Sequence, residues 1–255
     1  MKKRLNIIAM ALLLMAMTAC RSNYTLTSID HSRIVVDSRY DAHPDETATL
    51  FLAPYKQKVD SLMCPVVGTA AHDMAAERPE SDLSNLLADI LIWASKDYQE
   101  EPVLAIYNMG GIRSSLSEGT VTFGDVLAVA PFENKIAFTT LTGEKILELF
   151  QQIARRGGEG VSKGTEMVIS SDGKLLSARL HGKEIDPQGT YRVTTIDYLL
   201  GGNDGMPALK EGSNLRIVKD ESSNTRYLIS NFFKEHAAQG KSVDAQKEGR
   251  IIVKN

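Results

Sequence analysis

The chain has 255 residues, 43% of them hydrophobic and 24% charged, with 29 Lys and Arg against 32 Asp and Glu for a net charge of −3. This is ordinary globular composition, enough for one large domain or two small ones with a sizeable core. The near balance of charge, with no dense basic stripe interleaved with aromatics, excludes the electrostatic footprint of a nucleic-acid binder, and no DNA or RNA polymer is expected as a partner.

Taken in chain order, Lys2, Lys3 and Arg4 form a positive n-region and Leu5 to Met17 an apolar h-region, with Thr18, Ala19 and Cys20 as a small-residue site. Residues 1–19 therefore read as an export signal, too short to span a bilayer comfortably. The segment Met17 to Cys20 also resembles the lipobox of bacterial lipoproteins, which implies lipidation at Cys20 and a membrane anchor facing the periplasm; more than one acyl chain makes such an anchor stable. The alternatives are a secretory signal that happens to contain a cysteine, or an uncleaved anchor. With Cys20 lipidated, Cys64 has no intramolecular partner and reads as a small buried hydrophobe. Residues 20–47 are polar and read as a tether, with Ile34, Val35 and Val36 as one edge strand.

One domain is expected over residues 48–255. From Asp82, Leu83, Leu86, Leu87, Ile90, Leu91 and Ala94 fall on one helical face, and Ser81 or Asp82 can cap it. An apolar strand follows at 103–108 and ends in Tyr107, Asn108, Met109, Gly110, Gly111, Ile112 and Arg113. Thr122 to Val129 reads as a short helix stopped by Pro131, and Asn134 to Thr142 as a half-buried strand with Ile136, Phe138 and Thr140 on one side. Gly143 opens a second amphipathic helix ending near Gly157 and Gly158, whose loop through Gly160 reads as a helix cap and mobile loop. Asp172 and Gly173 mark a hairpin between 167–170 and 175–180. A strand at 191–196, a late helix at 225–237 and a closing strand at 250–254 complete the chain. Helices alternating with strands, hairpins mixed in, give α/β or α+β with a mixed sheet.

No GxSxG elbow or P-loop is present. The histidines His31, His43, His72, His181 and His236 form no close pair, His72 and adjacent Asp73 point to different sides, and nothing singles out two carboxylates for acid–base work. Three loops have a binding character instead. In the first, the glycines at 110 and 111 let backbone approach a ligand and Arg113 offers a planar fork of donors. The second is Ala130 to Asn134, with Phe132 on a turn. The third runs from Asp197 to Met206, where Tyr198 precedes a glycine-rich bend carrying Asp204. Two loop aromatics can sandwich a flat ring, and a carboxylate can accept both hydroxyls of a ribose. Singly, Phe132 could be core packing, Tyr198 a strand end and Asp204 a turn residue.

In order, these loops resemble the C-terminal domain of the 5′-nucleotidase family, which includes UDP-sugar hydrolases and 2′,3′-cyclic-nucleotide phosphodiesterases. The segments are Asn108 to Arg113, Gly119 to Thr122, Pro131 to Asn134, Leu141 to Gly143 and Tyr198 to Gly205, and the match covers about residues 65–254. The resemblance implies a compact α/β sandwich that binds the nucleoside part of a nucleotide, with no cofactor in this chain. Phe132 and Tyr198 would stack on the base, Asn108 would contact its edge, Asp204 would hold the ribose hydroxyls, and Arg113 would lie near ribose and phosphate. Gly110, Gly111 and Asn134 would complete the pocket. Glu77 to Glu80, leading to Asn85 and Leu86, resembles a family segment that supplies a ligand arginine, here Arg78, out of register by about one residue. Asn203 stands where the family has a glycine. The family's metallophosphoesterase domain with its two metals has no counterpart here, which implies a divalent metal only in a separate metallophosphoesterase partner. A nucleotide-capturing envelope lipoprotein without a hydrolytic role is the alternative.

Overall fold

The computed structural model describes residues 26–254; the expected signal and the lipid-bearing Cys20 lie outside the described residues. Contacts divide the chain into two units, up to Phe51 and from Leu52 onward. In the first, residues 26–37 have no regular structure, and Asp37 caps a short 3-10 turn at Ser38–Tyr40. Ile34, Val35 and Val36 are exposed and belong to no strand, which corrects the expected edge strand. Their β-branched side chains have no neighbouring strand to pair with, and an unpaired short strand buries too little to persist. A helix α1, Glu46–Met63, starts here and has no buried residue.

The second unit is built on three sheets. Strands β1 (Val66–Ala70) and β3 (Gly119–Thr122) form an antiparallel pair. The central sheet has the order β10-β4-β9-β2-β5, with β2 at Leu104–Tyr107, β4 at Ile136–Thr142, β5 at Gly160–Val161, β9 at Thr190–Ile196 and β10 at Ser213–Ile217. Only β2 and β9 run parallel in it; the β4–β9, β4–β10 and β2–β5 pairs are antiparallel. A third sheet, β11-β6-β7-β8, holds the hairpin of β6 (Thr165–Ser170) and β7 (Leu175–Leu180), the short β8 (Lys183–Glu184), and β11 (Ile251–Lys254) parallel to β6.

Helix α2 (Asp82–Ser95) packs on β2, β5 and β9 and starts in a capping box between Ser81 and Ser84. Helix α3 (Phe123–Val129) follows β3, and helix α4 (Gly143–Arg155) lies between β4 and the third sheet, burying Ile146, Leu149, Phe150 and Ile153. The short α5 (Asp197–Leu200) continues β9, and α6 (Thr225–Ala238) packs on β1, α2 and α3. This is the expected α/β class with a mixed sheet.

Two expectations change. Strand β4 is buried on both faces along most of its length, not half-buried, because it lies inside its sheet between β10 and β9 with α4 against it. The buried threonine of β4 is satisfied inside, Thr139 Oγ1 donating to the Ser213 carbonyl on neighbouring β10 at 3.4 Å. Cys64 is exposed, because it follows the fully unburied α1 and stands just before β1 begins.

Candidate functional site

Topology brings the three loops together. Strands β2 and β9 are parallel neighbours, so both end at the same edge of the sheet, and the first residues beyond them are Asn108 and the Asp197–Tyr198 pair. Strand β4 is antiparallel to β9 with Ile136 opposite Ile196, so the chain enters β4 at that same edge, carrying residues 131–134. Two bonds lock this junction: the Asp197 N–H donates to the Lys135 carbonyl (2.9 Å), and the Lys135 N–H to Asp197 Oδ1 (3.1 Å). The turn at 131–134 is tied down from behind, with the Thr225 N–H donating to the Asn134 carbonyl and Arg226 Nη2 to the Pro131 carbonyl, each at 2.9 Å. Those two backbone acceptors are thereby satisfied by protein.

Between the loops lies a cavity of about 210 Å³ lined by Asn108, Gly110, Gly111, Phe132, Asn134, Tyr198 and Asp204. Phe132 and Tyr198 are 48% and 41% exposed. Large rings left this open on two walls of one cavity are available to an apolar partner. The Asn134 side chain makes no hydrogen bond among the described residues, so its amide is free for a ligand edge.

Asp204 is already oriented. Asn108 Nδ2 donates to its Oδ2 at 2.7 Å and the Tyr198 hydroxyl to its Oδ1 at 3.1 Å. That second bond holds the Tyr198 phenol above its ordinary pKa, because the proton is shared with a carboxylate. Asp204 has φ of 52°, in the left-handed region that aspartate tolerates better than most residues, with Gly205 beside it at 68°. Asn203 braces the bend by donating from Nδ2 to the Tyr198 carbonyl at 2.7 Å. Gly111 is needed for space: a Cβ there would stand 2.6 Å from Asn108 Oδ1. That oxygen is buried without a hydrogen-bond partner among the described residues, a cost the turn accepts to keep the amide nitrogen on Asp204.

Of the nine residues expected from sequence, seven line this cavity and two do not. Arg113 is exposed and folds back, Nη1 donating to the Gly110 carbonyl at 3.3 Å. Arg78 is engaged below the turn, with Nη2 on Glu159 Oε1 at 2.6 Å and Nε on the Gly158 carbonyl at 2.9 Å. Glu159 and Arg156 were not among the expected residues, yet they form the charged floor under the Gly-Gly turn. The Glu159 side chain has no exposed surface. Its Oε1 also accepts from Arg156 Nε at 2.5 Å and its Oε2 from the Met109 N–H at 2.5 Å. The signal lay in an acid set between Gly158 and Gly160 directly after Arg155 and Arg156. The helix cap expected there is present, with Gly157 at φ 77°. The loop itself is packed: a Cβ on Gly158 would meet the Pro79 carbonyl oxygen at 2.1 Å.

Among the described residues, no three His, Cys, Asp or Glu gather in a group able to hold a metal ion. His72 stands 3.4 Å from an Asp244 oxygen and 3.6 Å from one of Asp82, while Asp73 accepts from the Glu118 N–H.

Comparison with known proteins gives this fold its family. Residues 66–211 match the family model described as 5′-nucleotidase, C-terminal domain. The chain belongs to that family. Among curated relatives, the 5′-nucleotidase of Vibrio vulnificus is 27% identical over 218 residues, spanning 82% of this chain and 38% of that protein. The cell wall protein Lmo0130 of Listeria monocytogenes is 27% identical over 237 residues, 83% of this chain and 30% of that one. Among solved structures, the 5′-nucleotidase precursor of Thermus thermophilus superposes with a TM-score of 0.70 at 28% identity, over 84% of this chain and 45% of its own. The chain thus spans less than half the length of these relatives.

Proposed function

We propose that this domain holds the base and ribose of a nucleotide while a separate metallophosphoesterase hydrolyses the phosphate ester. The observation that carries this is the convergence of two exposed aromatics, a free amide and an oriented carboxylate on one cavity. Phe132 and Tyr198 take the two faces of the base, and each stacking contact is worth about 1–3 kcal/mol. Asn134 reads the edge of the base, since the Asn108 nitrogen is committed to Asp204. Asp204 accepts the ribose hydroxyls. Family membership supports the ligand class. In this reading the metals belong to the partner, and no step of hydrolysis is assigned to this domain.

Lipid on Cys20 would hold the protein in the bacterial envelope on the periplasmic side. No helix among the described residues is long and apolar enough to cross a membrane, and in this reading the anchor is the lipid. AMP hydrolysis by the purified protein with divalent metal, alone and with a candidate metallophosphoesterase, tests the division of labour. Phosphate release only with the partner is the expected result; release by this protein alone overturns it. Nucleotide binding without hydrolysis alongside any such partner favours the capturing-lipoprotein reading.

A further inference from the structure

The charged floor beneath the cavity has a job that its stability role does not explain. Glu159 is fixed by three donors, and a guanidinium bound through Nε to a buried carboxylate has little freedom left. Arg156 is therefore a placed group, not a mobile one. Its Nη2 reaches to 3.7 Å from Asp204 Oδ2, the same oxygen that accepts from Asn108. Arg78 and Arg156 bring two positive charges, and Glu159 and Asp204 two negative ones. The cluster is balanced, which leaves no surplus cation for an incoming phosphate.

We propose that Arg156 is the positioning residue for Asp204. Held by Glu159, it draws Oδ2 toward the floor and so presents the carboxylate edge-on to the cavity, where a vicinal diol can donate to it. Asn108 and Tyr198 set the plane of the carboxylate; Arg156 sets its direction. The discrimination it supports is between nucleosides with and without the ribose diol. This inference rests on the nucleoside reading of the cavity.

Calorimetric titration of the full chain with adenosine, 2′,3′-dideoxyadenosine and AMP tests it. In the wild type, adenosine binds more tightly than the dideoxy compound. Arg156→Met weakens adenosine about tenfold, a loss of about 1.4 kcal/mol, and leaves the dideoxy compound within about twofold, while Arg156→Lys restores part of the loss. Equal weakening of both nucleosides makes Arg156 merely structural and overturns the proposal. Weakened AMP with unchanged adenosine overturns it too, by assigning Arg156 to the phosphate. Wild-type protein that binds no nucleoside at all overturns the nucleoside reading and this inference with it, whereas the two preceding outcomes overturn the inference alone.

Discussion

Replacing Glu159 by glutamine keeps the shape of the side chain and removes its charge, so it isolates what the buried carboxylate does. In the native protein Oε1 serves two guanidinium groups and Oε2 the Met109 N–H. An amide has only one acceptor oxygen. Turned toward the arginines, it faces the Met109 N–H with its own NH2 and leaves that donor unpaired, which costs about 1–3 kcal/mol. The bonds to Arg78 and Arg156 also fall from charge-assisted to neutral-acceptor strength, about 1 kcal/mol more after allowance for the partial exposure of both arginines. The sum is about 3 kcal/mol, equivalent to a drop of about 6–12 °C in melting temperature for a domain of this size. Urea denaturation followed by circular dichroism reads it as a lower midpoint at unchanged slope. A loss below about 0.5 kcal/mol would show that water already serves these groups, and the rigid floor argued for the Gly-Gly turn would be wrong.

Two further predictions concern the turn and the core beside it. Gly111→Ala puts a Cβ 2.6 Å from Asn108 Oδ1, which forces the amide off Asp204; adenosine affinity is expected to fall about tenfold, and unchanged affinity in the calorimeter would separate Asn108 from binding. Burial pushes the Tyr107 phenol up to about 12 from an ordinary 10.0. The unfolded chain then loses this proton first, so the stability contributed is fully present below about pH 10 and is lost at about 1.4 kcal/mol per pH unit between about 10 and about 12. Urea midpoints for Tyr107→Phe across that range should lack this component, and an equally steep decline in the variant would place its source elsewhere.

The cavity walls were legible because their residues break the rules of the elements around them. Phe132 and Tyr198 are aromatics at element ends, and the glycines at 110 and 111 follow a fully buried strand. Such conflicts between local pattern and fold mark functional sites. The floor was not legible, because an acid between glycines usually means a solvated loop, and only the packing of Gly158 on Pro79 turns Glu159 inward. Arg113 and Arg78 show the converse. An arginine can be placed in a segment from sequence, but its long side chain reaches whichever acceptor the fold offers, here the Gly110 carbonyl and Glu159. Helices α2 and α4 followed from their apolar faces. Helix α1 does carry apolar residues at helical spacing, Leu52, Tyr55, Val59 and Leu62, yet none is buried, and the short β1 and β3 depend on their pairing, with β1 also resting on α6, more than on local pattern.

The proposed function turns on whether the cavity at the ends of β2 and β9 holds a nucleoside. Calorimetric titration of adenosine into the wild-type protein and into Phe132→Ala and Asp204→Ala variants tests it most directly. Binding by the wild type and its loss from the measurable range in both variants are the expected results. Adenosine binding that neither substitution weakens would contradict it.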